Sequence, residues 1–361
     1  MNIVHIVPIF QKSSGVATFV GEVSNLQVQA GHSVTVATLP TYQADHYPVQ
    51  DGVAVVSIQQ VLTCSHDVTH LHLHGIWTPI LHTVVKWACG NDVPIIWSPH
   101  GMLAPWAMAH KKWKKWPVWH LWQRRDLTRA AVLHATTELE AQWIRDLRFE
   151  NPIEVIPLGT HIPVNLGSGN LSARSPRDTR TLLFVGRVYP VKGLRNLILA
   201  WAKVDLAVRK GWKIRIVGPD QAGHTAELQE LCRQLNVEAD VEFIGPRYGS
   251  ELEIEYAGAD CLVLPSFTEN FGGGVVDALA RGVPVIASTF TPWQELENAD
   301  TGRCGWWVSN DPNPLAVALT EMMSLTDEDR RALGKRGRLL VQGKYTWSAV
   351  MDRLNQVYDM I

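Results

Sequence analysis

The sequence predicts an α/β protein built from two doubly wound, parallel-sheet domains, and three observations lead there. Short apolar runs alternate with longer stretches of helical period from end to end, the pattern of repeated βαβ units. At 361 residues the chain exceeds what one hydrophobic core usually supports. The stretch from Asn165 to Thr179, rich in Gly, Ser, Asn and Pro, has little to bury and reads as a linker between two such series.

In the first series, residues 1–165, the strand candidates are Ile3 to Pro8, Ser33 to Leu39, Val53 to Ile58, Val68 to His74, Pro94 to Ser98, Ala131 to Thr136 and Ile153 to Pro157, with a helix over Val16 to Ala30. In the second, residues 166–344, they are Thr181 to Val185, Lys213 to Val217, Val241 to Ile244, Cys261 to Pro265 and Val283 to Ala287. Helical period marks Leu194 to Val204, Glu227 to Leu235 and Val275 to Ala280. Doubly wound folds bind ligands at the carboxyl ends of their strands, so two of them in one chain predict a common central cleft lined by strand-to-helix loops.

Composition narrows the function. Hydrophobic residues make up 46% and charged residues 19%, as in folded globular proteins. A net charge of −2 argues against a surface that tracks nucleic acid. Five scattered cysteines without a CxxC pair indicate neither a disulfide framework nor a cysteine zinc site, which fits a reducing cytoplasm. Met1 to Val7 lacks a basic leader and reads as a first strand, and no run of 18 apolar residues occurs.

One segment of the second series carries potential chemistry. In Leu262-Val263-Leu264-Pro265-Ser266-Phe267-Thr268-Glu269-Asn270-Phe271-Gly272-Gly273-Gly274-Val275, a buried strand ends at a proline and a glycine run opens a helix. Free amides at such a helix start suit an anion. Glu269 and Asp277 stand eight apart, which puts two carboxylates two turns apart on one helix face. A capping acid and a solvated helix residue are the plainer reading of the same pattern. Arg187 and Lys192, just past another buried strand in Gly186-Arg187-Val188-Tyr189-Pro190-Val191-Lys192-Gly193, supply the cations a diphosphate would need.

These motifs, together with Ser14-Gly15-Val16, Gly31-His32-Ser33-Val34, Ser98-Pro99-His100-Gly101, Ile156-Pro157-Leu158-Gly159 and Gly282-Val283-Pro284-Val285, resemble family 4 of the glycosyltransferases over nearly the whole chain. The resemblance implies a GT-B architecture, two Rossmann-like domains facing a central cleft, and retaining transfer of a hexose-type sugar from a nucleotide diphosphate sugar. It implies that Arg187 and Lys192 neutralise the diphosphate while Gly15 lets the first helix approach it. Glu269 would hold sugar hydroxyls, assisted by Asn270 and by the amides of Phe271, Gly272 and Gly273. Asp277 would contact the ribose, and His100 would lie beneath the donor sugar. The final helix, about 345–361, resembles the family's helix that returns to the first domain.

Asp277 departs from the family's usual glutamate, Ser14-Gly15 from its diglycine, and Leu158 from its asparagine. Thr291-Pro292-Trp293 with Gly305-Trp306-Trp307 resembles a branch found in bacterial surface-polysaccharide clusters, which implies a glycan or lipid-linked acceptor. A nucleotide-sugar 2-epimerase or a non-catalytic nucleotide-sugar binder would share the fold and the diphosphate site. A dinucleotide-dependent oxidoreductase is opposed by the missing GxGxxG after the first strand.

Three further patterns each admit two readings. Asp327-Glu328-Asp329 fits a metal-binding DxD, but Thr326 before it and the basic run after it read as a capped helix, so no metal is expected. His70, His72 and His74 alternate on one strand face; they could chelate zinc, yet a half-polar strand lining the acceptor side explains them better. Lys111 to Arg125 combines basic charge with four tryptophans at spacing three. It reads either as a peripheral anchor on an anionic membrane face or as a segment whose Trp119 and Trp122 join the core.

Overall fold

The computed structural model describes residues 1–11, 14–43, 46–64, 67–163 and 179–361. The expected linker, but for Thr179, lies outside them. The described chain divides into two compact units, Met1–Gly159 with Trp347–Ile361, and Thr160–Thr346.

The first unit is a seven-stranded parallel sheet in the order β3-β2-β1-β4-β5-β6-β7. Its strands are β1 (Asn2–Ile6), β2 (Ser33–Thr38), β3 (Val53–Ser57), β4 (His70–His74), β5 (Ile95–Ser98), β6 (Val132–Ala135) and β7 (Ile153–Val155). Apolar side chains fill both faces, as a parallel sheet covered by helices demands. On one face Val4, Ile6, Leu71, Leu73, Trp97 and Leu133 form a core with the helix Pro79–Gly90. On the other, Ile3, Val36, Ile96 and Val132 meet Phe19 and Val23 of the helix Gly15–Gln29 and Val350, Leu354 and Tyr358 of the helix Trp347–Met360. The chain's last helix thus completes the core of the first unit. Gly159 permits its arrival, since a Cβ there would lie 2.4 Å from the Trp347 ring.

The second unit is a six-stranded parallel sheet in the order β10-β9-β8-β11-β12-β13. It comprises β8 (Arg180–Val185), β9 (Trp212–Val217), β10 (Val241–Gly245), β11 (Cys261–Leu264), β12 (Val285–Ser288) and β13 (Gly305–Val308). Strand β13 was absent from the sequence reading. It is four residues long, opens on Gly305 and sits at the sheet edge.

Each sheet reverses its strand order once, between β1 and β4 in the first unit and between β8 and β11 in the second. These are the switch points at which loops diverge and leave room for a ligand. No described helix is long and apolar enough to cross a membrane.

Candidate active site

In the second unit, the loops after β8 and β11 bring together residues that the sequence placed 77 apart. Lys192 ends a short 3₁₀ turn, Pro190–Lys192, and its ammonium donates to Glu269 Oε1 at 2.6 Å. Ser266 donates to the same oxygen at 2.7 Å. Both ionic side chains are mostly enclosed, 16% exposed for Lys192 and 11% for Glu269. Gly193 makes the approach feasible: it holds a φ of +69°, and a Cβ there would lie 2.0 Å from the Pro265 carbonyl oxygen. Lys192 is therefore already matched by an anion, whereas the sequence reading set it aside for phosphate alone. Arg187, on the same loop, donates to Gln221 at 2.8 Å.

The helix after Glu269 runs over Gly273–Ala280 and is capped by Gly272, which gives its first turn no side-chain partner. Glu269 precedes the helix, so the expectation of two carboxylates on one helical face is corrected. The glycine run delays helix formation by four residues, because left-handed Gly272, at φ +81°, turns the chain first. Phe271 is buried against Trp293 and Tyr345, and its carbonyl accepts from the Trp293 indole. Asn270 and Gly273 are half-buried beside it.

Asp277 lies in the helix itself and accepts from the Thr160 hydroxyl at 2.6 Å. Arg281 stands 3.8 Å from the same oxygen. Burial pushes the Asp277 carboxyl up, while the Thr160 hydroxyl and the Arg281 guanidinium favour its charged form. A ribose hydroxyl would have to share or replace Thr160. Asp327 is held by Arg330 and Arg180, and Thr326 caps its helix through Asp329 N at 3.1 Å.

In the first unit, His100 follows β5 with a left-handed backbone, φ +52°. The turn is clamped by buried Glu140, which accepts from Gly101 N at 2.5 Å and from Thr136 N and Oγ1 at 2.8 and 2.9 Å. Its ring bonds His74 Nδ1 at 3.0 Å, and His74 bonds His5 at 3.0 Å. Burial lowers the imidazoles of His5 and His134 to about 4 and that of His100 to about 3; those of His72 and His74 also fall well below their ordinary value. All five are neutral at neutral pH. Gly15 begins the first helix with open space beside it.

Strand β4 is buried along its whole length, its polar face included. His70 turns away to the Tyr358 carbonyl. The trio whose nitrogens lie within 4.8 Å of one another is His5, His72 and His74. Both nitrogens of His72 are engaged, by Tyr358 and Ser98. His5, Gln27, Ser98, His134 and Glu140 were missed by sequence reasoning; each looks ordinary until strands and covering helices bring them together.

The Lys/Trp segment splits. Trp113 and Trp116 are exposed, at 74% and 58%, whereas Trp119 is buried and Trp122 half-buried. Lys111, Lys112 and Lys114 are exposed, but Lys115 folds inward onto the Ala107 carbonyl and the Trp77 ring. A groove of about 250 Å³ opens there, lined by Trp77, Met108, Lys112, Trp116 and Trp119.

Comparison with known proteins follows the same division. Residues 14–159 match the model described as glycosyl transferase 4-like domain, and residues 172–340 match glycosyl transferases group 1. The chain belongs to family 4 of the glycosyltransferases. A D-inositol 3-phosphate glycosyltransferase of Kineococcus radiotolerans is 28% identical over 318 residues, covering 81% of this chain and 71% of that relative. The chain spans 44 to 57% of the length of other relatives with that description. Anabaena HepE, solved with UDP and glucose, superimposes with a TM-score of 0.79 at 17% identity over the full length of both chains. WaaG, a glycosyltransferase involved in lipopolysaccharide biosynthesis, gives 0.73 at 16% identity over 99% of both. These likenesses give this family 4 glycosyltransferase the GT-B architecture.

Proposed function

We propose that this chain transfers a hexose-type sugar from a nucleotide diphosphate sugar, with retention and without a metal, to a glycan or lipid-linked acceptor in surface-polysaccharide assembly. The observation that carries the donor half of the reading is the Lys192–Glu269 pair at the β8/β11 switch point, beside an uncapped, glycine-opened helix. A diphosphate arriving there competes for the Lys192 ammonium and leaves Glu269 to accept from sugar hydroxyls. Arg187 adds a second cation, and the amides of Phe271 to Gly273 face developing charge on the leaving phosphate. Asp277 takes the ribose and Gly15 the phosphate. His100, neutral, is assigned to the reacting sugar. Front-face departure and attack, with the leaving phosphate as base, is the mechanism this reading adopts.

The acceptor half is supported by the exposed Trp113 and Trp116 and the exposed lysines beside them, which suit docking of the first unit on the inner, anionic face of a membrane. UDP and glucose in the HepE structure make UDP-sugars the first donors to test. A thermal-shift screen of UDP-, GDP- and ADP-sugars, followed by transfer assays with and without lipid-linked acceptors, checks the whole. The expected result is stabilisation by one base class and transfer that requires acceptor. Release of epimerised donor without transfer would establish the 2-epimerase reading instead, and binding without any turnover the non-catalytic one.

A further inference from the structure

Nine polar groups in the first unit form two hydrogen-bonded runs that meet where Gln27 lies beside Tyr358, and the second run ends on half-buried His100. The series starts at a fixed point, the Ile156 carbonyl, which can only accept. His134 Nε2 contacts it at 2.8 Å and so carries the proton. In a neutral imidazole the other nitrogen is then bare. His134 Nδ1 therefore accepts from the Ser98 hydroxyl at 2.7 Å, and Ser98 Oγ accepts from His72 Nε2 at 2.7 Å. His72 Nδ1, now bare, accepts from the Tyr358 hydroxyl at 2.9 Å.

Because that phenol has spent its only proton, Gln27 must turn its NH₂ group, not its carbonyl, toward it. Gln27 Nε2 makes no close hydrogen bond but lies near enough to the phenol oxygen to favour the ionised form. Gln27 Oε1 faces His5 Nε2 at 2.8 Å, which must donate. His5 Nδ1 then accepts from His74 Nε2, and His74 Nδ1 from His100 Nε2, each at 3.0 Å. The rings of His5, His74 and His100 lie nearly parallel, 21° and 18° apart, with centroids 5.3 Å apart at each step, the in-line geometry of imidazoles joined by N–H···N bonds.

We propose that this series is a tautomer lock: His5, His74, Gln27, Ser98, His72 and His134 act as positioning residues that hold His100 neutral, protonated on Nε2, with a bare Nδ1 as hydrogen-bond acceptor. The inference deepens the reading given above, because it assigns His100 the acceptance of a proton-bearing group of the bound sugar, such as a hydroxyl, and excludes donation from that ring atom. It also accounts for six polar side chains, each at most 2% exposed, in a core otherwise lined by Phe19, Ile96 and Trp347. Unpaired, each would cost stability; ordered in one direction, every group but the Gln27 amide nitrogen finds a partner.

The test is nuclear magnetic resonance on the full chain labelled with ¹⁵N at histidine. The lock predicts Nε2–H tautomers for His5, His74 and His100 at neutral pH, with scalar couplings across the two N–H···N bonds. A His100 protonated on Nδ1, missing couplings, or one zinc per purified chain held by His5, His72 and His74 would overturn it. These measurements need no variant. His74→Phe keeps a ring and removes both bonds. It should expose the His100 Nε2 proton to rapid solvent exchange and lower kcat about tenfold at unchanged donor KM, with the sugar nucleotide found in the donor screen. Unchanged exchange, or a change confined to KM, counts against the lock. Couplings present in a protein whose His100→Ala variant turns over normally would leave the lock standing and remove the catalytic assignment of His100. Absent couplings with an inactive His100→Ala would do the reverse.

Discussion

The two switch points are built from opposite chemistry. In the first unit the polar interior beside β1, β4 and β5 consists of neutral imidazoles joined end to end. In the second the corresponding loops are tied by full charges, Lys192 to Glu269, and β9 is tied by Arg215 to Glu242 of β10 and to Glu255 of the helix Gly249–Gly258. The contrast teaches that one fold can be held by groups that must stay uncharged and by groups that must stay charged. Proton concentration therefore ought to separate the units.

That separation is the largest expected effect. The five buried imidazoles have folded pKa values below the unfolded value of 6.5, to about 4 for His5 and His134 and about 3 for His100. Between 6.5 and those values the unfolded chain binds more protons, so stability is complete above pH 6.5 and falls with falling pH. At pH 5.5 each imidazole that only the unfolded chain protonates removes about 1.4 kcal/mol, and five remove several. In the second unit the Lys213 ammonium holds the Glu242 carboxyl below its usual range, so its contribution begins to fade only below about pH 4.5. Hydrogen exchange followed separately in the two units at pH 7.5 and 5.5 checks this. Equal loss of protection in both would break the comparison.

Next in size is the charged site. Glu269→Ala removes the group that balances Lys192 and, on the proposed reading, the acceptor of sugar hydroxyls. A fall of about 10²- to 10³-fold in kcat/KM is expected, in the range for losing one preorganised group. Nucleotide diphosphate without sugar should bind at least as well, because Lys192 is released. Unaltered turnover would dismiss the assigned grip, and weakened binding of the bare diphosphate would show that Lys192 is held in place only by its partner.

How much of this was legible in the sequence also differs between the units. Lys192 and Glu269 stand in motifs where strand ends meet glycines and prolines, so the chemistry announces itself locally. Twelve strands were legible from apolar runs; β13 was not, although β7, shorter still and also at a sheet edge, was. The imidazole series is non-local: His5 pairs in register with His72, and His74 with Ser98. Nothing in one strand shows that its polar face will be dry. The alternation His70-Leu71-His72-Leu73-His74 marked the right face and the wrong trio, because helix Trp347–Met360 draws His70 to the Tyr358 carbonyl, 288 residues away. The glycine run did open the helix, but Glu269 lies before it for a local reason, the left-handed turn at Gly272.

The smallest expected effect concerns the surface of the first unit, where charge is permitted. Lys111, Lys112 and Lys114 are exposed, so changing all three to Ala should alter folding stability by less than about 0.5 kcal/mol each. On anionic vesicles the same triple change should weaken binding by about 1 kcal/mol per lysine at low salt, with the difference shrinking as salt rises. Lys115 does not belong with them: its ammonium donates to the Ala107 carbonyl and lies over Trp77, so Lys115→Ala should cost stability rather than membrane affinity. Trp113→Ala tests the apolar part of the same surface, because that ring is 74% exposed and leaves no cavity when removed. Vesicle sedimentation of the triple variant and of Trp113→Ala, each beside its thermal midpoint, separates docking from packing. Full retention on vesicles by both would withdraw the membrane face from the proposed function while leaving the donor site untouched, since none of these residues lies in the second unit.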